Sequence, residues 1–229
     1  MRRASVRRPG RRLGIAAVVL LVVGLAAGGA SLHLRGGYLD IVLFGSTMEP
    51  TYRAGERIGA ERIDGSEARP GDVVLFQDLA WRPDGSLVMG RVVATGGDRV
   101  TCCEGNRISV DGRPLDEPYV RGGDPVGVPG LEFDVRVPDG QLFLAGDDRA
   151  DSFDSRLRAT GDRPGTVPAT AVRGRALESP AVPLLLLSGV LGGGVLTVTG
   201  LALGTAALIV RRRAQDPPAA PYGHLPVAV

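Results

Sequence analysis

Two long stretches of uncharged, mostly apolar residues lie near the two ends of the chain. The first runs from Leu13 to Leu32 and the second from Ser179 to Val210. Each is long enough for an α-helix that crosses the hydrocarbon core of a bilayer, which needs roughly 20 residues. The glycines of the second stretch would destabilise a helix in water but are tolerated in lipid, where they allow close contact between helices. The pattern therefore predicts transmembrane helices over residues 13–34 and 179–210.

Clusters of arginine flank both stretches and predict their orientation in the plasma membrane. Those before the first stretch are Arg2, Arg3, Arg7, Arg8, Arg11 and Arg12, and those after the second are Arg211, Arg212 and Arg213. Because positively charged flanks remain in the cytoplasm, we expect residues 1–12 and 211–229 inside and residues 35–178 outside. A cleavable signal peptide is the alternative for the first stretch, since Ala26 to Ala30 offers small residues for a cleavage site. Its apolar run, however, exceeds the core of about 7–15 residues that is usual in signal peptides.

The chain between the two stretches consists of short β-like runs that are broken by Gly, Pro and Asp. The runs with the length and the β-branched or aromatic content of strands are Asp72–Phe76, Arg91–Ala94, Arg107–Val110, Phe133–Val137 and Gln141–Leu144. Asp111-Gly112 and Pro138-Asp-Gly140 are typical of tight turns. No long stretch shows helical periodicity. We therefore expect a mainly β, antiparallel domain over residues 35–178, between two transmembrane helices.

The composition restricts the chemistry of this outer domain. All 27 basic residues are arginine, and the two histidines are His33 and His224, so that residues 35–178 contain neither lysine nor histidine. Single carboxylates in Gly-Asp turns, without histidine, are usually turn formers, and we expect no metal and no cofactor. Nucleic-acid binding is not expected either, because the arginine clusters flank the membrane segments, where orientation explains them.

The two cysteines, Cys102 and Cys103, are neighbours in the sequence. They cannot form the C-x-x-C pair of a zinc site. Oxidation to a disulfide is conceivable in a domain outside the cytoplasm, and two free, half-buried thiols are the alternative. The sequence leaves both states open.

Four segments, in this order, resemble the sequence boxes of the type I signal peptidase family, which are membrane-bound serine endopeptidases. They are Phe44–Thr51 (FGSTMEPT), Arg69–Phe76 (RPGDVVLF), Gly90–Val100 (GRVVATGGDRV) and Gly146–Arg156 (GDDRADSFDSR). The family patterns to which these are similar are S-M-x-P-T, R-x-G-D followed by an apolar strand, K-R-V-h-G-x-x-G-D-x-V, and G-D-N-R-x-x-S-x-D-S-R. The resemblance implies a β-rich catalytic domain close to the lipid bilayer, with a groove for the extended end of a signal peptide of an exported protein.

The resemblance also assigns positions to individual residues. Thr47 occupies the position of the nucleophile, and Gly90 occupies that of the lysine base. Supporting positions fall on Ser46, Met48, Pro50, Arg91, Asp147, Arg149, Ser152, Asp154 and Arg156. By the resemblance, Arg91 would pair with Asp147 and Asp154 with Arg156, while Ser152 would point into the active-site region. Arg/Asp pairs of this kind mostly hold loops in place.

The chain departs from the family pattern at the two positions that carry the chemistry. Thr47 keeps a hydroxyl but adds a methyl group that restricts χ1, and Gly90 has no side chain. Ser46 is not expected to substitute, because consecutive side chains of an extended segment face opposite ways. Asp147, Asp148 and Asp151 remain as conceivable bases, although the sequence places none of them beside Thr47.

Three hypotheses follow for the function. The first is a signal-peptidase-type endopeptidase with Thr47 as its nucleophile and an unrecognised base. The second is a catalytically inactive family member that binds exported chains or regulates an active signal peptidase. The third is a β domain of another Ser/Lys protease branch, against which the outward topology argues.

Overall fold

A computed structural model of the chain describes residues 10–159, 164–179 and 181–215. Parts of the expected cytoplasmic segments 1–12 and 211–229 thus lie outside the described residues. The described chain forms two compact units, of which one is Gly36–Pro183 and the other contains the residues before and after it.

The unit outside Gly36–Pro183 consists mainly of two long helices. These are α1 over Arg11–Arg35 and α3 over Ala181–Arg213. By length and composition, both are long and apolar enough to cross a membrane, with mean hydropathies of 2.4 and 2.0. They cover most of the two stretches that the sequence predicts as transmembrane.

Glycines bring α1 and α3 into close contact. A Cβ atom added to Gly24 would lie 2.7 Å from the carbonyl oxygen of Gly193, which is too close for any side chain. Gly200 is similarly enclosed, whereas Cβ positions on Gly192 and Gly194 are open. The expected role of glycine in close helix contact therefore applies to one face of α3.

The unit Gly36–Pro183 contains β-strands in two sheets and one short helix, α2, over Ser155–Arg158. In chain order the strands are β1 Tyr38–Val42, β2 Arg57–Glu61, β3 Val73–Phe76, β4 Val88–Thr95, β5 Arg99–Cys102, β6 Ile108–Val110, β7 Arg113–Pro114, β8 Phe133–Arg136, β9 Gln141–Ala145, β10 Val167–Pro168 and β11 Val172–Ala176. One sheet has the order β1-β2-β11-β3-β4-β9-β10 and the other the order β7-β6-β5-β8. Every pairing is antiparallel, which confirms the expected fold class.

The five strands predicted from the sequence are present as β3, β4, β6, β8 and β9. The prediction missed other strands, several of which have few or interrupted apolar positions. In β2, for example, Ile58 and Ala60 are buried around a central Gly59. The Asp111-Gly112 turn joins β6 to β7 with φ values of 49° and 75°, which is the left-handed pair that a tight hairpin requires.

Cys102 and Cys103 are joined by a disulfide bond. Of the two states that the sequence leaves open, the structure contains the oxidised one.

Candidate active site

The chain turns back on itself over residues 45–52, directly after β1. The Glu49 amide donates to the Ser46 carbonyl at 2.9 Å, and the Tyr52 amide donates to the Met48 carbonyl at 2.9 Å. The Met48 side chain is fully buried in an apolar cluster that includes Leu75. Met48 therefore anchors the turn in the core, and the preceding hydroxyl residues remain at the surface.

Ser46 and Thr47 line the same groove. The expectation that Ser46 cannot substitute for Thr47 stays a prediction, although its premise does not hold. It assumed an extended segment, whereas these residues belong to a turn, in which side chains do not alternate between two faces.

The loop after β9 packs directly against this turn. The Asp148 amide donates to the Thr47 carbonyl at 3.0 Å. A Cβ atom on Gly146 would lie 2.6 Å from the Thr47 carbonyl oxygen and 2.3 Å from Ser152 Oγ. Only glycine at position 146 permits this approach, which brings Ser152 beside the turn.

The groove has a volume of about 740 Å³. Its polar side includes Ser46, Thr47, Asp151 and Ser152, and apolar side chains form much of the remaining lining. Among the predicted site residues, those that line the groove are Ser46, Thr47, Gly90, Ser152 and Asp154. Met48, Arg91, Asp147, Arg149 and Arg156 are buried beside it, and Pro50 is exposed on the turn.

Gly90 lies opposite Val74 of the neighbouring strand β3. A Cβ atom at this position would meet Leu144 Cβ at 3.2 Å and Phe76 Cε1 at 3.8 Å. A side chain here would need a shift of a few tenths of an ångström and would then enter an apolar part of the groove. Such surroundings lower the pKa of an amine by desolvation, but glycine supplies no amine.

The hydroxyls of Ser46 and Thr47 differ in their partners. The Ser46 hydroxyl donates to Oδ2 of Asp151. The Thr47 hydroxyl makes no hydrogen bond to any residue in the described part of the chain. Of the three carboxylates that the sequence left open as bases, Asp151 therefore contacts Ser46, and none is a hydrogen-bond partner of the Thr47 hydroxyl within the described residues.

The other two carboxylates are held by arginine. Asp147 is fully buried and accepts two hydrogen bonds from Arg91, at 2.8 and 2.6 Å, as the resemblance implies. It also accepts one from the Thr51 hydroxyl. Asp148 accepts from Arg121 at 2.7 Å, and Arg121 also lies 3.2 Å from Glu49 on the turn.

Arg91 is enclosed by its partners. Its guanidinium donates to the Gly71 carbonyl at 2.8 Å and lies 3.9 Å from the ring centre of Tyr119. Burial alone would lower the pKa of Arg91, but the hydrogen bonds and charge of Asp147 outweigh it and raise the pKa. Burial, followed by the charge of Glu117, raises the pKa of Tyr119. Arg91 therefore serves as a fixed cation that cannot act as a base.

Two further arginines hold the loop between β9 and α2. Arg156 pairs with Asp154 at 2.8 Å, as the resemblance implies, and Asp154 also accepts from the Gly146 amide at 2.9 Å. Arg149 pairs with Glu117 at 2.6 Å, and both side chains are 1% exposed. The contacts of Glu117, Thr51 and Arg121 were not predicted from the sequence, because each of these residues meets its partner across 27 or more residues of chain.

No group of three or more His, Cys, Asp or Glu side chains arranged to hold a metal ion occurs in the described ranges. The groove offers hydroxyls, the Asp151 carboxylate that contacts Ser46, and apolar walls as its chemistry.

A family model and the similar proteins of known name all point to signal peptidases. Residues 14–179 match the family model described as signal peptidase, peptidase S26. The signal peptidase I of Mycobacterium tuberculosis is 34% identical over 178 residues, which cover 57% of this chain and 60% of that protein. The probable signal peptidase I of Mycobacterium leprae is 33% identical over 187 residues, 57% of this chain and 64% of that protein. The chain thus spans less than two thirds of the length of these relatives.

Two less similar proteins also carry the name signal peptidase I. Signal peptidase I U of Bacillus subtilis is 29% identical over 147 residues, 61% of this chain and 75% of that protein. A crystal structure of a signal peptidase I from Enterococcus faecalis aligns with 48% of this chain and 96% of its own, at 22% identity and a TM-score of 0.37.

Proposed function

The chain belongs to the signal peptidase family, peptidase S26, and on this premise we propose that it acts on the signal peptides of exported proteins. The observation that supports this proposal is the groove of about 740 Å³ with Ser46 and Thr47 on one side and apolar side chains around them. Signal peptides present an extended segment at their end, and such a groove suits a chain of this kind.

Unpaired strand edges beside the groove favour an extended ligand. β1 is an edge strand of the seven-stranded sheet, and its end at Ile41 and Val42 lines the groove. Pairing of β4 with β9 begins at Arg91, so that Val88–Gly90 pair with β3 on one side only. An extended peptide gains affinity by adding its backbone to such edges, while pockets select its side chains.

The proposed setting is the outer face of the plasma membrane. In this topology α1 and α3 cross the bilayer, both termini are cytoplasmic, and residues 35–178 are extracytoplasmic. The support is the arginine on the expected cytoplasmic flanks, which includes Arg211–Arg213 at the end of α3. Trypsin added to intact spheroplasts should then degrade the β unit, while an epitope tag fused to either terminus should stay protected.

Site-directed cross-linking tests the proposed ligand. The full-length protein in detergent micelles is mixed with a preprotein that carries a photo-reactive phenylalanine analogue near the end of its signal peptide. Cross-links should be saturable and should be competed by unlabelled signal peptide. They should fall in the tryptic fragments 36–53, 63–91, 137–149 and 150–156, which contain the groove-lining turn, the start of β4, the end of β9 and the loop after it. Cross-links elsewhere, or none that saturate, would contradict the proposal.

A matched pair of leucine variants controls this experiment. Leu87 lines the groove and is 42% exposed, whereas Leu79 lies outside the groove and is 67% exposed. Leu87→Arg should weaken cross-linking because it places a charge in the path of an apolar ligand. Leu79→Arg should not.

A second candidate function is binding without cleavage, either of exported chains or in the regulation of an active signal peptidase. The observation that favours it is the absence of a side chain at Gly90 together with the unpartnered hydroxyl of Thr47 within the described chain. Incubation of the purified protein with a preprotein distinguishes the two. Release of mature product supports processing, and saturable cross-linking without product supports binding alone.

A further inference from the structure

We propose that Ser46 is the reactive hydroxyl of this site and that Asp151 is the base that accepts its proton. This inference rests on the proposed action on signal peptides and assigns to Ser46 and Asp151 the roles that the family pattern gives to positions 47 and 90. It makes the protein an endopeptidase in which a serine and a carboxylate replace a serine and a lysine.

The first observation is a direct contact. Ser46 Oγ donates a hydrogen bond to Asp151 Oδ2, although the two residues are 105 positions apart in the sequence. A nucleophile and a base within hydrogen-bond reach are the geometric requirement for general-base activation. Both residues also line the groove in which the ligand is proposed to lie.

The second observation is that the backbone fixes both partners. Ser46 is held by the 2.9 Å bond between its carbonyl and the Glu49 amide, and Asp151 by the 3.2 Å bond from its amide to the Asp148 carbonyl. The Asp148 amide in turn donates to the Thr47 carbonyl at 3.0 Å, which ties the two loops together. The contact between Ser46 and Asp151 thus joins two positioned loops.

The third observation concerns the competing hydroxyl. Across the described residues, no carboxylate or other base is a hydrogen-bond partner of the Thr47 hydroxyl. Its methyl group also crowds the approach to a carbonyl carbon. A primary hydroxyl with a carboxylate beside it is the better nucleophile of the two.

The proposed reaction cycle needs Ser46, Asp151 and water, and no cofactor. Ser46 Oγ attacks the carbonyl carbon of the scissile peptide bond, and its proton passes to Asp151 Oδ2. The C–N bond then breaks, and Asp151 returns the proton to the leaving amine. A water molecule attacks the resulting ester on Ser46, its proton passes through Asp151 to the departing Ser46 oxygen, and the free carboxylic acid of the product is released.

Cleavage assays on variants test the assignment. Ser46→Ala and Asp151→Asn should each lower the cleavage rate of a preprotein by about 10²–10⁴-fold, the usual range for general-base assistance. Thr47→Ala should lower it far less than Ser46→Ala. Matched controls outside the groove are Ser109→Ala in β6 and Asp139→Asn in an exposed turn, which should leave the rate unchanged. Loss with Thr47→Ala that equals or exceeds the loss with Ser46→Ala would overturn the inference.

A covalent probe tests the same claim in the unmodified protein, independently of how the variants fold. A fluorophosphonate should form an adduct in the tryptic fragment 36–53, which contains Ser46 and Thr47, and fragment ions should place the adduct on Ser46. An adduct on Thr47, or no adduct in this fragment, would overturn the inference.

The failure of this inference is distinguishable from the failure of the proposed function. Wild-type protein that cross-links a signal peptide saturably in the groove but releases no product overturns the Ser46–Asp151 assignment and leaves the proposed ligand intact. Absence of saturable cross-linking overturns the proposed function itself, and the assignment with it.

Discussion

Arg91 and Asp147 form a buried ion pair in which two hydrogen bonds, of 2.8 and 2.6 Å, join the guanidinium to the carboxylate. Asp147 is fully buried, and the side chain of Arg91 is 11% exposed. Arg91 follows Gly90 on β4, and Asp147 follows Gly146, against which the Thr47 turn packs. The pair therefore joins the two sides of the candidate site, although neither residue lines the groove.

Removal of one partner of this ion pair should lower the free energy of unfolding. Asp147→Ala leaves the Arg91 guanidinium buried without its counter-charge, and we expect a loss of roughly 3–5 kcal/mol in the free energy of unfolding. Denaturant titration in detergent micelles measures it. Asp134→Ala is the matched control, because its partner Arg99 is 58% exposed and water replaces the lost contact. Equal effects of the two substitutions would contradict the structural role of the buried pair.

Restoration of the family residues should create activity if the groove still suits a signal peptide. A protein with both Thr47→Ser and Gly90→Lys gains a primary hydroxyl and an amine among Leu144 and Phe76, which would desolvate it. With Ser46→Ala present in both proteins to remove the nucleophile proposed above, we expect cleavage to rise by about 10²–10⁴-fold over Thr47→Ser without the lysine, measured as mature product per unit time. A folded double variant without this gain would mean that the groove no longer positions its ligand for this chemistry.

Helix contact provides a prediction for the membrane unit. A Cβ atom added to Gly193 would lie 2.6 Å from the Gly28 amide nitrogen, so that Gly193→Leu requires α1 and α3 to separate. Overpacking of this kind costs about 1–3 kcal/mol and should lower the melting temperature in detergent. Gly192→Leu adds the same side chain where no atom lies within 4 Å. Equal melting temperatures of the two variants would refute the close contact between α1 and α3.

Asp124 provides a prediction on pH. The backbone amides of Gly127 and Val126 and the side-chain amide of Asn106 lower the pKa of Asp124, which is exposed to solvent. A carboxylate with a depressed pKa in the folded state stabilises the protein above its unfolded-state pKa, and this contribution is lost as the pH falls through the folded-state pKa. Asp124→Asn should therefore lower the melting temperature slightly at pH 7 and by less at pH 3. An equal shift at both pH values would contradict it.

The sequence was informative where structure depends on neighbours in the chain. Long apolar runs predicted α1 and α3, and β-branched or aromatic runs predicted the five strands β3, β4, β6, β8 and β9. Strand β2, with its central Gly59, was missed because its burial depends on partners far along the chain. The turn that presents Ser46 and Thr47 on one groove was also missed, since the sequence pattern suggested an extended segment.

The sequence by itself determined the two long apolar helices, the β character of the chain between them, the positions of the family motif and the absence of any lysine. These properties are local, since hydrophobicity, turn residues and composition act over a few positions. Only the tertiary structure decided which hydroxyl meets a carboxylate, because the contact of Ser46 with Asp151 crosses 105 residues and exists only when the loop after β9 packs against the turn after β1. The same holds for Glu117, which reaches Arg149 only through the packing of a distant loop.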